Sequence, residues 1–253
     1  MLVAERHQKI VEIVNERTSI RVTELSDLFS VTEETIRRDL EKLEKERKLQ
    51  RSHGGAVSIQ EEEAEIHFSE RVITNVQEKK AIAYEAAKRV MEGDRIILDA
   101  STTAWYMAKA LPNMPLTVIT NSMKVIMELS KKEKMTVIST GGQLLPKSLS
   151  YVGPLAERSL DLYHVNKTFL SCKGVHLEAG LSDSNEQQAI LKKKMIEQSD
   201  QVILMVDSSK FGKRAFSMIV PPGEVGEVIT DKGIDSSAKK ILDERKVIVT
   251  IVH

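Results

Sequence analysis

The alternation of strand and helix patterns after Glu78 constrains the fold more than any other feature of this sequence. A helical segment over 78–91 precedes the β-branched run RIILDA, and the same succession recurs to the end of the chain. Strands that alternate with helices favour an α/β domain with a mostly parallel sheet covered on both faces. The further strand runs are LTVITN, MTVISTGG, KTFLSCKGV, QVILMVD, EVIT and VIVTIV, and the further helices are predicted over 103–111, 122–131, 185–199 and 236–244.

Residues 3–58 carry a different pattern, in which three short helices precede a small β-hairpin. The helical spacing of apolar residues predicts the first helix over Val3–Arg17. Thr23 and Thr32 are the expected N-caps of the second and third helices, because a hydroxyl can accept a first-turn N–H. The apolar residues expected to face inward are Leu2, Ile10, Ile13, Val14, Leu25, Leu28, Phe29, Ile36, Leu40 and Leu43.

The segment KLQRSHGGAVSI predicts the hairpin, since alternating residues lead into a Gly54-Gly55 turn. Three helices followed by a hairpin make a winged helix-turn-helix. Residues 59–77 are polar and acid-rich, which is typical of a linker. We therefore divide the chain into a winged helix-turn-helix over 3–58, a linker over 59–77 and an α/β domain over 78–253.

The third helix presents cations on its solvent-facing side. From Thr35 to Val57 there are seven Lys and Arg residues against four Asp and Glu, whereas the whole chain has 37 of each sign. The charges alone fit an ordinary solvated helix face. In combination with a capped helix and a Gly-Gly wing they indicate DNA binding, because arginine can donate two hydrogen bonds to a guanine in the major groove. The side chains that lie off the apolar stripe of this helix are Thr35, Arg37, Arg38 and Lys42.

Polar loops follow five of the predicted strands: DASTT, TNS, TGG, CKG and DSSKFG. Ligands of parallel sheets bind beyond the carboxyl ends of the strands, so these loops are expected to share one site. Hydroxyls and backbone N–H groups at a helix start form an anion site. The loops would therefore suit a small polyhydroxy phosphate. The candidate effector-binding residues are Asp99, Ser101, Thr102, Thr103, Asn121, Gly141, Gly142, Lys173, Gly174 and Lys210.

Single motifs among these loops also have ordinary structural interpretations. The STT run fits a plain N-cap, and Lys210 alone fits a solvated lysine. Lys173 lies inside an otherwise apolar segment. A buried ammonium needs a partner, which Asp99 or Asp207 could provide. Cys172 is expected to be a small core residue.

Both parts of the chain resemble the DeoR family of bacterial transcription regulators. The run TIRRDLEKLE followed by RSHGGAV resembles its helix-turn-helix domain over Arg6–Val57. The runs GDRIILDASTT, TVITNS, ISTGG, VGPLAE, FLSCKGV, GLSDSNEQQAILKKKMI and VDSSKFG resemble its C-terminal sensor domain over residues 78 to about 232. The resemblance implies a sensor fold related to ribose-5-phosphate isomerase, phosphorylated sugars as effectors, and homo-oligomers. Ala100 stands where the family usually has glycine.

The resemblance also implies roles in DNA binding. Ile20–Asp39 would be the helix-turn-helix, and its last helix the recognition helix. Arg37 and Arg38 would contact bases and phosphates, while the wing would lie against the backbone or minor groove. Glu34, with its neighbour Glu33, would either accept from cytosine amines or stabilise the helix end. The candidate DNA-binding residues are Thr23, Thr32, Glu34, Thr35, Arg37, Arg38, Lys42, Arg51, His53 and Gly54.

The sequence thus predicts a sequence-specific DNA-binding regulator of a carbohydrate-utilisation operon. We expect it to be a repressor, which is the commoner outcome in the family, acting on double-stranded operator DNA as a dimer or tetramer under control of a phosphorylated sugar. One alternative is a sugar-phosphate isomerase-like enzyme with an attached DNA-binding domain, using acid–base groups from Lys173, Asp99, Glu186 and Lys210. A second alternative is a pure oligomerisation module, which no small molecule would stabilise.

Several absences complete the prediction. The spacing identifies no carboxylate held over a substrate, so we expect no catalytic residue. The single cysteine and six scattered histidines show no metal-ligand spacing, so no metal or cofactor is expected. The sequence holds no 18-residue apolar run and no signal-peptide pattern, which predicts a cytoplasmic protein without a membrane partner.

Overall fold

The computed structural model describes residues 3–17, 19–46, 48–52, 54–57, 66–221 and 223–253. The chain divides into two compact units, called unit 1 (Met1–Ala64) and unit 2 (Glu65–His253). Within the described ranges, every helix is too short or too polar to span a lipid bilayer.

Unit 1 is a winged helix-turn-helix. Its core lies between the three helices and includes Ile10, Leu25 and Ile36, all fully buried. The predicted hairpin is present as β2 and β3, and a third strand, β1, pairs with β3 on its other side. The helices are α1 (Val3–Arg17), α2 (Val22–Phe29) and α3 (Glu33–Lys45), and the strands are β1 (Ser19–Arg21), β2 (Gln50–Ser52) and β3 (Gly55–Val57).

The structure confirms one predicted helix cap and corrects the other. Thr32 caps α3, since its hydroxyl accepts from Thr35 N at 3.3 Å. The prediction for Thr23 is wrong, because α2 begins at Val22 and its N-cap is therefore Arg21, two residues earlier and without a side-chain cap. Leu28 was expected inside but is 51 % exposed. Consecutive helix residues point in different directions, and Phe29 takes the place against the core. Leu2 lies outside the described residues.

Unit 2 is built on a seven-stranded sheet in which every neighbouring pair is parallel, in the order β15-β14-β12-β9-β4-β5-β6. The predicted parallel α/β sheet is therefore confirmed. In β4 the buried side chains alternate between two cores, with Ile96 and Leu98 in one and Ile97 in the other. Its strands are β4 (Arg95–Leu98), β5 (Leu116–Thr120), β6 (Met135–Ser139), β9 (Val165–Leu170), β12 (Ser199–Met205), β14 (Glu227–Asp231) and β15 (Ile248–Val252).

Helices cover both faces of this sheet. One core contains Ile82 of α5 and Met107 of α6, and the opposite one contains Leu160 of α8 and Leu191 of α9. The helices are α4 (Phe68–Val72), α5 (Val76–Ala87), α6 (Thr102–Ala110), α7 (Met123–Leu129), α8 (Pro154–Leu160), α9 (Glu186–Glu197) and α10 (Ser236–Glu244), with a 3-10 turn at Ser208–Lys210.

Two small antiparallel sheets were not predicted, because their strands are only three or four residues long. One is the hairpin of β7 (Gln143–Leu145) and β8 (Ser150–Val152). The other joins β10 (Gly174–His176), β11 (Gly180–Asp183) and β13 (Ser217–Val220). The run KTFLSCKGV was read as one strand, but it is divided between β9 and β10 by the loop over 171–173.

The predicted linker over 59–77 is shorter in the structure at its C-terminal side. Residues 66–77 belong to unit 2 and contain α4 and the start of α5. Phe68 explains the difference, because one buried aromatic ring attaches this otherwise polar segment. Its ring packs edge-on against Trp105 at 5.9 Å, and its backbone N–H donates to Lys147 O at 2.7 Å. Residues 58–65 lie outside the described residues.

Candidate functional site

The exposed face of α3 in unit 1 carries the predicted cations. The side chains of Arg37 and Arg38 are 53 % and 77 % exposed, and Lys42 also faces solvent. Thr35 is half-buried beside them. The further predicted residues with an exposed position are Thr23, Thr32, Glu34, Arg51 and Gly54, while His53 lies outside the described residues.

Each of the two arginines is paired with a glutamate one turn earlier on the same helix. Arg37 Nη2 lies 2.7 Å from Glu33 Oε2, and Arg38 Nε lies 3.2 Å from Glu34 Oε1. Such exposed pairs contribute only about 0.3–0.5 kcal/mol. The guanidinium groups can therefore exchange these carboxylates for DNA phosphates or base edges at small cost.

A buried ion pair fixes α3 against α1. Asp39 Oδ2 accepts from Arg6 Nε at 2.6 Å, and Asp39 Oδ1 accepts from Arg6 Nη2 at 3.1 Å and lies 2.9 Å from His7 Nε2. Burial raises the pKa of Asp39, but the hydrogen bonds from Arg6 and His7 outweigh burial and lower the pKa. Asp39 was not among the predicted residues, although an acid beside Leu40 on a buried stripe is a signal for a paired charge.

The wing needs glycine at its turn. Gly54 has φ +89°, a left-handed backbone conformation in which a residue with a side chain would be strained. At Gly55 an added Cβ would lie 2.2 Å from Ile20 O, so β1 and β3 can only approach each other without a side chain there. The Gly-Gly pair of the sequence motif thus places the hairpin beside the helices.

Unit 2 contains a cavity of about 140 Å³ beyond the carboxyl ends of β4, β9 and β12. The predicted residues Ser101, Thr102, Thr103, Lys173 and Lys210 all line it. The expected convergence of loops at one edge of the sheet is therefore present for three of the five loops. The remaining lining residues are Ile66, Arg71, Thr74, Lys79, Ala100, Ser171, Cys172, Asp183, Ser184, Gln188, Lys192 and Asp207.

The first turn of α6 opens onto this cavity. Ser101 caps the helix, with its hydroxyl accepting from Ala104 N at 3.0 Å. The backbone N–H groups of Thr102 and Thr103 lie in the first turn, where they have no carbonyl acceptor within the helix. They form the positive end of the helix dipole. Within the described part of the chain, the hydroxyls of these two threonines take part in no hydrogen bond, so a ligand can use them. This is the arrangement that binds phosphate groups at helix starts.

A buried lysine holds the loops behind the cavity together. Lys192 Nζ lies 2.6 Å from Asp183 Oδ2 and 3.4 Å from Asp99 Oδ2, and donates to Ser171 O at 2.8 Å. Asp99 is fully buried and accepts from the backbone of Ser101 and Ser171 at 3.1 and 3.0 Å. Burial lowers the pKa of Lys192, but Asp183 and Asp99 outweigh burial and raise it.

Lys173, for which Asp99 or Asp207 was the expected partner, is not the lysine beside Asp99. Lys173 is only half-buried, and in the described part of the chain it makes no ion pair with Asp99 or Asp207. The buried ammonium belongs instead to Lys192, which the run LKKKM concealed among three consecutive lysines. Its helical spacing from Gln188, another buried residue of the same helix, was the available signal.

The cavity lining is cationic. Arg71, Lys79, Lys173, Lys192 and Lys210 stand against two carboxylates, which gives a net charge of 5 − 2 = +3. Burial, together with the nearby Lys210, lowers the pKa of Lys79 to about 8. The pKa of Lys173 is also lowered by burial and by Lys210. Crowded, desolvated cations of this kind favour an anionic ligand, which would relieve their mutual repulsion.

Five predicted effector residues lie outside the cavity lining: the fully buried Asp99, together with Asn121, Gly141, Gly142 and Gly174. Asn121 donates to Tyr151 O at 3.0 Å and so holds β8 beside the loop after β5. Added Cβ atoms at Gly142 and Gly174 would lie 2.6 Å from backbone oxygens, so these two glycines permit close packing. Gly141 has φ +62° in the same turn as Gly142. The lining residues that the sequence analysis missed include Arg71, Lys79, Asp183, Gln188 and Lys192.

Both units match models of one family. Residues 6–62 match the DeoR-like helix-turn-helix domain, and residues 74–232 match the DeoR C terminal sensor domain. The helix-turn-helix match contains α3 and the hairpin, and the sensor match contains every described cavity residue except Ile66 and Arg71.

Relatives align over nearly the whole chain. The uncharacterised HTH-type transcriptional regulator YulB of Bacillus subtilis is 73% identical over 252 residues, covering 100% of this chain and 98% of that protein. The L-fucose operon activator of Haemophilus influenzae is 35% identical over 246 residues, covering 97% of this chain and 99% of that protein.

Among solved structures, ribose 5-phosphate isomerase A of Methanocaldococcus jannaschii aligns with 56% of this chain and 56% of its own, at 21% identity and a TM-score of 0.41. The family of this chain is shown by the family models and the full-length relatives, and not by this structural similarity. With both units matched and relatives aligned from end to end, the chain belongs to the DeoR family of DNA-binding transcriptional regulators.

Proposed function

We propose that this regulator controls a carbohydrate-utilisation operon, and that a phosphorylated sugar in the unit 2 cavity lowers its affinity for operator DNA. The observation that carries the proposal is the cavity itself, where a helix start with two available hydroxyls faces a lining of net charge +3. Relatives named for sugar operons support the operon class, among them the L-fucose operon activator and a putative aga operon repressor of Escherichia coli O157:H7.

The cavity lining offers groups for both parts of such a ligand. Thr102, Thr103 and Lys210 provide N–H, hydroxyl and ammonium donors for a phosphate group. Asp183 and Gln188 lie in the same lining, and their side-chain oxygens can accept further hydrogen bonds from sugar hydroxyls. Phosphorylation is thus the feature we expect the cavity to require, while the hydroxyl pattern selects among sugars.

We infer that the cavity binds its ligand without converting it. The carboxylates around it are already engaged: Asp99 accepts from two backbone N–H groups, and Asp183 pairs with Lys192. Asp207 accepts from Asn75 at 3.0 Å and caps the 3-10 turn. Burial raises the pKa of the Cys172 thiol to about 12, so it is not a nucleophile near neutral pH. An isomerase would need an acid–base group that is not committed in this way.

Control of DNA binding requires that the ligand bind differently to DNA-competent and DNA-incompetent states. We propose that the sugar phosphate favours the state with the weaker operator affinity. The protein would then repress the operon until the sugar phosphate accumulates. We also propose that it acts as a homo-oligomer on repeated operator half-sites, in the cytoplasm where the DNA lies.

The test is a titration of labelled promoter DNA from upstream of the protein's own gene, followed by fluorescence anisotropy. A panel of pentose and hexose phosphates is compared with the unphosphorylated sugars. We expect at least one phosphorylated sugar to weaken DNA binding and its unphosphorylated counterpart to have no effect. A panel in which no sugar phosphate changes DNA affinity would contradict the proposal.

Thr102→Val tests whether this threonine binds the phosphate group of the ligand. The variant should bind promoter DNA as the wild type does, but need at least about tenfold more ligand to be released, because a hydrogen bond to a charged group contributes about 1.5–3 kcal/mol. Thr136→Val is the matched control, since Thr136 is exposed on the edge strand β6 away from the cavity. Equal responses of wild type and Thr102→Val would show that the phosphate binds elsewhere.

A further inference from the structure

One wall of the cavity is the stretch of unit 2 that comes first after unit 1 along the chain. We call residues 66–75 the strap; it contains α4 and ends at the residue before α5. Ile66, Arg71 and Thr74 of the strap all line the cavity. A ligand in the cavity would therefore touch the segment that leads, through residues 58–65, to the DNA-binding unit.

Identified contacts hold the strap to the rest of unit 2 along its length. At its start, Phe68 N donates to Lys147 O at 2.7 Å, and the Phe68 ring packs on Trp105. In its middle, the hydroxyl of Tyr106 donates to Val72 O at 2.9 Å. Each of these contacts contributes to the free energy of locally opening the strap.

The end of the strap depends on Lys79, a buried residue of α5. Its ammonium donates to Arg71 O at 2.6 Å and to Thr74 O at 2.7 Å, at the carboxyl end of α4. A cation there adds a donor to carbonyls at the end of the helix and faces the negative end of the helix dipole. Lys79 also lines the cavity. An ammonium has three N–H donors, so one remains for a bound anion.

We propose that Lys79 is a positioning residue that couples an anion in the cavity to the strap, so that ligand binding tightens the segment leading to the DNA-binding unit. The inference rests on the proposed function, since it takes the ligand of the cavity to be anionic. It goes further by naming the element that responds to the ligand and the side chain through which it responds.

The charge state of Lys79 would connect the anion in the cavity to the carbonyl groups of the strap. Burial, together with the neighbouring cations Lys210 and Arg71, lowers its pKa to about 8, while Asp207 and Glu78 act in the opposite direction. Near pH 8 the empty cavity therefore holds a mixture of ammonium and neutral amine. A bound phosphate favours the ammonium, and a charged donor makes stronger hydrogen bonds to the strap carbonyls than a neutral one.

The test is amide hydrogen exchange of the full chain at pH 8, without and with saturating inorganic phosphate or D-glucose 6-phosphate. Binding is measured in parallel as a rise in the unfolding temperature of unit 2. We expect peptides covering the strap to exchange about three- to tenfold more slowly with either anion, the change that one strengthened hydrogen bond produces. Peptides over α10, whose residues lie outside the cavity lining, should not change.

Lys79→Met removes the coupling group, and Lys88→Met is the matched control, because Lys88 follows the same helix and is 53 % exposed. In Lys79→Met both anions should still raise the unfolding temperature, since the other cavity cations remain, but strap exchange should no longer respond. Lys88→Met should behave as the wild type. A wild-type-like strap response in Lys79→Met would overturn the role of this lysine.

Measurements on the wild type alone distinguish the proposed anion site from its proposed coupling to the strap. Stabilisation by the anions with no change in strap exchange would overturn the coupling and leave the proposed anion site standing. No stabilisation by either anion would overturn the proposed site, and the coupling with it.

Discussion

Lys192→Met is the substitution whose effect on stability the structure determines most directly. The Lys192 side chain is 9% exposed, and Met fills a similar volume without charge. The substitution leaves the carboxylate of Asp183 without its partner at 2.6 Å and the fully buried carboxylate of Asp99 without its partner at 3.4 Å. Removing one member of a buried ion pair costs about 3–5 kcal/mol, because the remaining charge stays buried.

For a unit of this size, each kcal/mol corresponds to about 2–4 °C, so we expect unit 2 to unfold about 6–20 °C lower. Trp105, the single tryptophan of the sequence, packs against the core of unit 2. Urea or thermal unfolding followed by its fluorescence therefore measures unit 2 alone. Lys193→Met is the control, since Lys193 is exposed on the same helix and its loss should change stability by less than about 0.5 kcal/mol.

A second substitution tests the cause of the loss. Asp183→Asn in the Lys192→Met background removes one of the two uncompensated charges and should recover part of the lost stability. A loss below about 1 kcal/mol in Lys192→Met, or no recovery in the double variant, would refute the view that these charges stabilise one another.

Further predictions concern DNA binding and pH. Arg38→Ala should weaken DNA binding and reduce the slope of log Kobs against log salt by about 1. Glu34→Gln releases Arg38 from its helical partner and should raise DNA affinity about twofold, the value of one such pair. Because the pKa of Asp39 is lowered, its contribution to unit 1 stability is present above pH about 4 and lost as the pH falls further, and Asp39→Asn should remove this dependence. Affinity for D-glucose 6-phosphate should fall from pH 7 to pH 9 as Lys79, whose pKa is about 8, loses its proton, and Lys79→Met should flatten this profile.

Each of these measurements has a contrary outcome. An unchanged salt slope in Arg38→Ala would remove that side chain from the DNA interface. Weaker DNA binding by Glu34→Gln would mean that the carboxylate contacts a base. Acid unfolding of unit 1 that is the same with and without Asp39 would contradict the role of its ion pair. A phosphate affinity that is flat from pH 7 to pH 9 in the wild type would contradict the role of Lys79.

Local patterns in the sequence were sufficient for the architecture. The helical spacing of α1 and α10 gave their observed bounds, and the Gly54-Gly55 pair located the wing. Elements defined by a few residues were missed, such as β1, because three residues contain too little periodicity. The short helix α4 was hidden for a different reason: its buried aromatic residue, Phe68, lies in a polar segment that otherwise has the composition of a linker.

The cavity was predictable in position but not in its charge pairs. The rule that ligands lie beyond the ends of parallel strands located Ser101, Thr102 and Lys210. Which lysine pairs with Asp99 depends on how α9 packs across the sheet, and no local pattern specifies that contact. Lys79 was missed for the same reason, since its partners are backbone carbonyls, which every residue carries.

The central claim is that one ligand in the unit 2 cavity and one DNA site on unit 1 influence each other through the chain. The most direct measurement is the affinity for the active sugar phosphate with and without saturating operator DNA. Linkage requires that DNA weaken ligand binding by the same factor by which the ligand weakens DNA binding. We predict equal factors of about 5–150, the usual range of such coupling. A ligand affinity that is the same on and off the operator would contradict the claim.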